Sequence, residues 1–243
     1  MGPAGAGGDR GGPGVPRRGS AVRWTLVVPL KPLARAKSRL AAAVGAGSGA
    51  SRPALALAFA LDTVEAALSC AAVRDVVVVT DDPLAGAELR AAGARTVAEP
   101  AGGGGLNAAL AHGARTVRAH RPRAGVATLN ADLPALRPVE LGRVLDSAAE
   151  FPRAFLADAE GIGTTLLAAA PGMLLAPAFE GRSRARHRAS GAREIGLPGV
   201  DSVRRDVDTP ADLRAALALG VGPRTAAAAG AWAAVGPPGP ATD

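Results

Sequence analysis

Three aspartates and one run of cations are the residues of this chain whose types and spacing could do chemistry. Leu129-Asn130-Ala131-Asp132-Leu133-Pro134 closes an apolar run, Gly125-Val126-Ala127-Thr128-Leu129, that reads as a short strand pointing into a core. The strand ends on an acid, and Pro134 stops further pairing. Ligands of an open α/β sheet sit at the carboxyl ends of its strands, so Asp132 is placed to hold a hard cation against phosphate oxygens. On the hexapeptide alone, Asp132 serves equally well to open the turn before the next helix. The other two acids stand in Val203-Arg204-Arg205-Asp206-Val207-Asp208-Thr209-Pro210-Ala211-Asp212-Leu213, read as a strand running into a helix. Thr209, Pro210 and Asp212 already supply a cap, a first-turn proline and an N3 acid. Asp206 and Asp208 are left with no structural task, and their spacing puts both on one face of an extended segment. With Asp132 from a neighbouring strand they form an oxygen-only Mg²⁺ site.

The cations follow the first predicted strand, Trp24-Thr25-Leu26-Val27-Val28-Pro29-Leu30. Lys31, Arg35, Lys37 and Arg39 would line the upper edge of a parallel sheet, a phosphate-binding arrangement without the glycines of a P-loop. A solvated basic helix is the plain alternative. Glu160-Gly161-Ile162-Gly163-Thr164-Thr165 offers backbone amides and two hydroxyls to an anion. A turn explains its glycines but not its paired threonines. In Phe179-Glu180-Gly181-Arg182-Ser183-Arg184-Ala185-Arg186-His187-Arg188 the density of donors also points to a substrate anion. The glycine run 102–105 lets backbone approach a ligand closely, and Asn107 suits a cap for the helix 107–119.

The elements that must position these groups alternate. Helices are expected over 53–69, 83–92, 107–119 and 138–149, and strands over 24–30, 75–80, 94–99, 125–130 and 154–158. Val76 to Val79 is the clearest strand, its four valines fitting burial on both faces. Asp81-Asp82-Pro83 reads as a helix cap rather than a metal site. The alternation predicts a three-layer α/β sandwich with a mainly parallel sheet and no internal repeat. Residues 1–22 are expected to be a disordered Gly/Pro/Arg tail, 23–222 one catalytic domain and 223–243 an Ala/Gly/Pro tail.

Composition narrows the function. The net charge is +7 over 243 residues, and residues 1–23 supply +3 of it, four arginines against Asp9. Clustered positive charge suggests a phosphate-rich partner. With no tyrosine and four phenylalanines, stacking platforms for nucleic acid are scarce, so a small polyanion is the better fit. Three histidines make a His-rich zinc site improbable, and the single Cys70 fits a core position in a reducing, cytoplasmic protein. No segment reads as a membrane span or a secretory signal. Hydride transfer and a G-x-S-x-G nucleophile have no motif here.

Seven stretches in order, VVPLKPLARAKSRL, VVVVTDD, GGGGLNAAL, LNADLPAL, FLADAEGIGTTLL, FEGRSRARH and RRDVDTPADL, resemble the CofC/FbiD family, the guanylyltransferases of coenzyme F420 biosynthesis. They span about residues 24–222. The resemblance implies a Rossmann-like nucleotidyltransferase fold of GT-A-like type, α/β/α in layers. It implies transfer of GMP from GTP to phosphoenolpyruvate, as in the actinobacterial branch, with 2-phospho-L-lactate or 3-phosphoglycerate as rival acceptors. Mg²⁺ would be held by Asp132, Asp206 and Asp208, with Lys31, Arg35 and Lys37 facing the departing pyrophosphate. Thr164 and Ser183 fall on positions that contact phosphoenolpyruvate. A third such position, normally glycine, is here Glu180, with Gly181 one residue on. Gly105 and Asn107 lie in the region assigned to the guanine nucleotide, and a downstream F420 transferase is the implied functional partner. A non-enzymatic basic nucleic-acid binder is the rival from another class, for which three strand-end aspartates would be a liability.

Overall fold

The structure, a computed structural model, describes residues 22–35, 40 and 51–234. Residues 1–21 of the expected 1–22 tail, Lys37, Arg39 and residues 235–243 lie outside the described residues, and Arg35 is described by its backbone only. β1 (Trp24–Pro29) runs into a 3₁₀ turn at Leu33–Arg35, followed by α1 (Ser51–Leu68), β2 (Val73–Val79), α2 (Pro83–Ala91), β3 (Arg95–Val97) and α3 (Gly105–His120). Then come β4 (Gly125–Leu129), α4 (Pro138–Ala148), β5 (Arg153–Ala157), β6 (Thr164–Ala169) and α5 (Ser183–Ala189). The described residues close with β7 (Arg193–Glu194), α6 (Asp201–Arg204), α7 (Pro210–Leu219) and α8 (Pro223–Ala234).

The described strands form one sheet in the order β3-β2-β1-β4-β6-β5-β7. β1 pairs in parallel with β2 and β4, β2 with β3 and β5 with β7, while β6 runs antiparallel between β4 and β5. Strand side chains alternate between two cores, as a period of two requires. Leu26, Val28, Val76 and Val78 pack with α1, α2 and α4, and Val27, Val77 and Val79 with α3. This is the expected three-layer sandwich, and the valine run is buried on both faces for the reason its composition suggested. A β-carbon at Gly113 would lie 2.5 Å from Val27 Cγ1 and 2.8 Å from Val79 Cγ2, so α3 rests directly on the sheet.

Two expectations are corrected. Residues 201–204 are a short helix rather than strand, and 205–208 run on without sheet partners. Residues 223–234, assigned to a tail, form α8. Its alanines are the best helix formers, which composition alone reads as low complexity. Its first turn is held from outside: Asp62 of α1 accepts from the Arg224 and Thr225 amides at 3.2 and 2.7 Å, and Arg224 pairs with Glu65 at 2.6 Å. Among the described residues no helix is long and apolar enough to cross a membrane.

Candidate active site

Three strands deliver their carboxyl ends to one edge of the sheet. β1 brings Lys31, β4 brings Asp132 and β5 brings Asp158. The antiparallel β6 starts at that same edge with Thr164. Together with the segments around Phe179 to Ser183 and Asp206 to Asp208 they line a cavity of about 560 Å³, within the usual range for a small-molecule site.

The two aspartate segments are tied to each other. The Val207 amide donates to the Asp132 carbonyl at 3.0 Å, and the Val207 side chain is fully buried beside Phe59 and Leu213. Val207 points into the core while Asp206 and Asp208, on either side of it, line the cavity. The spacing argument therefore holds without the strand it assumed. The cap beyond it forms as expected, with Thr209 and Asp212 in a reciprocal capping box.

Asp206 feels this crowding. Burial first, then the charges of Asp132, Asp208 and Asp158, push its carboxyl up to about 8. Asp158, which the sequence reading passed over, also organises the floor of the cavity. Its Oδ1 accepts from the Ile162 amide at 2.9 Å and its Oδ2 from the Gly163 amide at 2.7 Å. Its signal was legible as an acid at the end of a buried strand, the feature that singled out Asp132.

Six carboxyl groups line the cavity (Asp132, Asp158, Glu160, Glu180, Asp206 and Asp208), and Lys31 is the one cation among the described lining residues. Among the described residues, no three His, Cys, Asp or Glu side chains are gathered as they stand into a metal-holding group. The donor chemistry nevertheless fits a hard divalent cation: carboxylate oxygens only, crowded enough to repel one another.

The acceptor positions named from sequence come together. Thr164, Glu180, Gly181 and Ser183 all line the cavity. Thr165 does not; it is fully buried, so only one of the paired threonines faces the site. The 178–183 loop is held from several sides. Asn107 Oδ1 accepts from the Phe179 amide at 2.7 Å and its Nδ2 donates to the Phe179 carbonyl at 3.3 Å. Arg186 donates to the carbonyls of Ala178, Phe179 and Glu180. The Ser183 amide donates to the Gly181 carbonyl at 2.8 Å.

Asn107 thus braces the 178–183 loop and does not cap α3, whose N-cap is Gly104. Neither it nor Gly105 is on the cavity wall, where Leu106 is. The arginines of 182–188 are likewise largely structural. Arg184 and Arg188 pair with Glu194, Arg184 also reaches the Gly161 carbonyl, and Arg186 holds the loop. Side-chain donors at that density serve the Glu194 carboxylate and backbone carbonyls, a use that composition could not distinguish from anion binding. Lys31 is exposed on the cavity wall, as the phosphate-binding reading requires.

Two substitutions test the loop. A β-carbon at Gly163 would sit 2.4 Å from Asp158 Oδ2 and 3.8 Å from Ser183 Oγ. Gly163→Ala will break the Asp158 turn, destabilising the protein by ~1–3 kcal/mol. It will raise KM for the acceptor more than for the nucleotide, read by thermal melts and steady-state kinetics. Glu180 has φ +77°, a left-handed conformation that favours glycine. Glu180→Gly will therefore stabilise by up to about 1 kcal/mol, and an unchanged acceptor KM would show that the carboxyl plays no part in binding. A raised acceptor KM would show that the carboxyl itself is used.

Residues 56–195 match the MobA-like NTP transferase domain. The chain is 72% identical over 219 residues to a phosphoenolpyruvate guanylyltransferase of Streptomyces avermitilis, covering 90% of this chain and 99% of that protein. It is 63% identical over 214 residues to one from Thermomonospora curvata, covering 88% and 92%. Among solved structures, a putative nucleotide-diphospho-sugar transferase from Desulfovibrio desulfuricans shares the fold at 16% identity and TM-score 0.58, over 82% of this chain and 96% of that one. A nucleotidyl transferase from Methanothermobacter does so at 22% identity and TM-score 0.53, over 81% and 97%.

Proposed function

Since the chain belongs to the phosphoenolpyruvate guanylyltransferase family, within the MobA-like NTP transferase domain, we propose that it transfers GMP from GTP to phosphoenolpyruvate. The products are enolpyruvyl-diphospho-5′-guanosine and pyrophosphate. The observation that carries this reading is that Asp132, Asp206 and Asp208 line one cavity with Thr164 and Ser183.

A phosphate oxygen of phosphoenolpyruvate attacks the α-phosphorus of GTP. The new O–P bond forms as the bond from that phosphorus to the β-phosphate oxygen breaks, and pyrophosphate carries the electron pair away. The attacking oxygen is already anionic, so no general base is needed, and the protein contributes positioning and charge neutralisation. Asp132, Asp206 and Asp208 would hold Mg²⁺, which when bound would supply charge neutralisation for the reacting phosphates. Burial and the neighbouring acids raise the Asp206 carboxyl to about 8, so it would have to be ionised to serve as a ligand. Lys31, with Arg35 and Lys37, neutralises the departing pyrophosphate. Thr164, Ser183 and the backbone at Glu180 and Gly181 hold the acceptor, and the family resemblance assigns the nucleotide to the glycine run ending at Gly105, which lies off that cavity wall. The enolpyruvyl product is passed to a transferase of coenzyme F420 assembly in the cytoplasm, where the single buried Cys70 stays reduced.

The test is pyrophosphate release from GTP and Mg²⁺ with phosphoenolpyruvate, 2-phospho-L-lactate or 3-phosphoglycerate. Release that requires phosphoenolpyruvate supports the assignment, and release with another acceptor alone changes the substrate and keeps the mechanism. No release with any of them, from folded protein supplied with the downstream transferase, removes the function.

A further inference from the structure

His187, in α5, is completely buried and lies against Thr164. Each ring nitrogen has one partner. Nε2 is 3.0 Å from the backbone nitrogen of Ala178, and Nδ1 is 3.0 Å from Thr164 Oγ1. A backbone N–H can only donate, so Nε2 accepts and carries no proton. The single proton of the neutral ring is then on Nδ1 and is donated to Thr164 Oγ1. Burial, with the charges of Arg153 and Arg186, holds the ring down to about 4, so it stays neutral at working pH. Thr164 Oγ1 has no other hydrogen bond among the described residues. Its own hydroxyl hydrogen is left for the cavity, whose wall Thr164 forms.

We propose that His187 is a positioning residue for the acceptor: by donating to Thr164 Oγ1 it makes that hydroxyl a donor toward the cavity, suited to an anionic oxygen of the substrate. The inference rests on the reading of Thr164 as an acceptor contact. The same ring ties this selection to the rest of the acceptor loop. Its Nε2 anchors Ala178, and the Phe179 ring meets it edge-on with centroids 4.9 Å apart. Strand β6 and the 178–183 loop, which carry the acceptor positions from separate parts of the chain, are locked together through one imidazole.

Three variants and one spectrum test it. His187→Gln keeps an acceptor for the Ala178 amide but loses the donor to Thr164, whereas His187→Asn keeps a donor where Nδ1 stood. The glutamine variant will raise KM for phosphoenolpyruvate about tenfold, the scale of one hydrogen bond, with KM for GTP unchanged. The asparagine variant will restore most of that loss. In a Thr164→Val background His187→Gln will add nothing further, because the hydroxyl it orients is gone. Losses that add, or equal rises in both KM values, overturn the proposal.

Nitrogen NMR of histidine-labelled wild-type protein reads the tautomer without any substitution. A non-titrating ring protonated at Nδ1 at neutral pH supports the proposal, and one protonated at Nε2 or at both nitrogens overturns it. Wild-type protein that releases no pyrophosphate would instead remove the guanylyltransferase reading, an outcome that the spectrum tells apart.

Discussion

Asp132→Asn will lower turnover by a factor on the order of a hundred to a thousand while leaving the fold at least as stable as the parent. The opposed signs follow from the same crowding. Asp132 is one of the charges that push the Asp206 carboxyl up, so its loss relieves repulsion in the folded protein. A purely structural turn aspartate would behave the other way, with stability falling and chemistry in the surviving folded protein intact. The effect on turnover is large because the proposed chemistry has no general base and depends almost wholly on neutralising charge between two phosphates. Melting temperature and kcat measured on the same preparations separate the two cases. A variant that keeps more than a tenth of wild-type turnover would remove Asp132 from the metal-holding role.

The second large effect is a dependence of stability on pH that Mg²⁺ opposes. The Asp206 carboxyl is raised in the folded protein from an ordinary 3.8 to about 8, by burial first and by Asp132, Asp208 and Asp158 next. A group raised on folding contributes stability that is fully present below its unfolded value and is lost as pH rises through its folded value. Without divalent cation, the protein will therefore lose stability progressively between about pH 4 and pH 8, by up to several kcal/mol at ~1.4 kcal/mol per unit. Asp206→Asn will flatten that slope, and the difference between parent and variant isolates this carboxyl from the other titrating groups. Mg²⁺ will stabilise the parent most at the alkaline end, where Asp206 is already ionised. Thermal melts across pH with and without Mg²⁺ check all three statements. A parent slope equal to that of Asp206→Asn would contradict them.

What could be read before folding was whatever a local rule determines. Val76 to Val79 announced a doubly buried strand because apolar continuity has few other uses. Thr209, Pro210 and Asp212 announced their helix start, and the same bookkeeping isolated Asp206 and Asp208. That pair reached the cavity even though 205–208 pairs with no strand, since alternation about the buried Val207 needs only an extended backbone. What stayed hidden depended on partners distant in the chain. Asn107 reads as a cap until Phe179 is seen against it, and Arg184, Arg186 and Arg188 read as anion donors until Glu194 and the loop carbonyls engage them. Asp62 holding the first turn of α8 joins residues more than 160 apart, a contact that no periodicity signals. His187 is of the same kind: its role rests on which atoms meet its two nitrogens.

The most direct test of guanylyl transfer by attack of the acceptor phosphate uses phosphoenolpyruvate labelled with heavy oxygen in its phosphate group, with GTP and Mg²⁺. Product and pyrophosphate are separated and weighed by mass spectrometry. The mechanism predicts that all of the label stays with the guanosine-containing product and that the pyrophosphate is unlabelled. Label in the pyrophosphate, or a guanosine product that carries none, would contradict it.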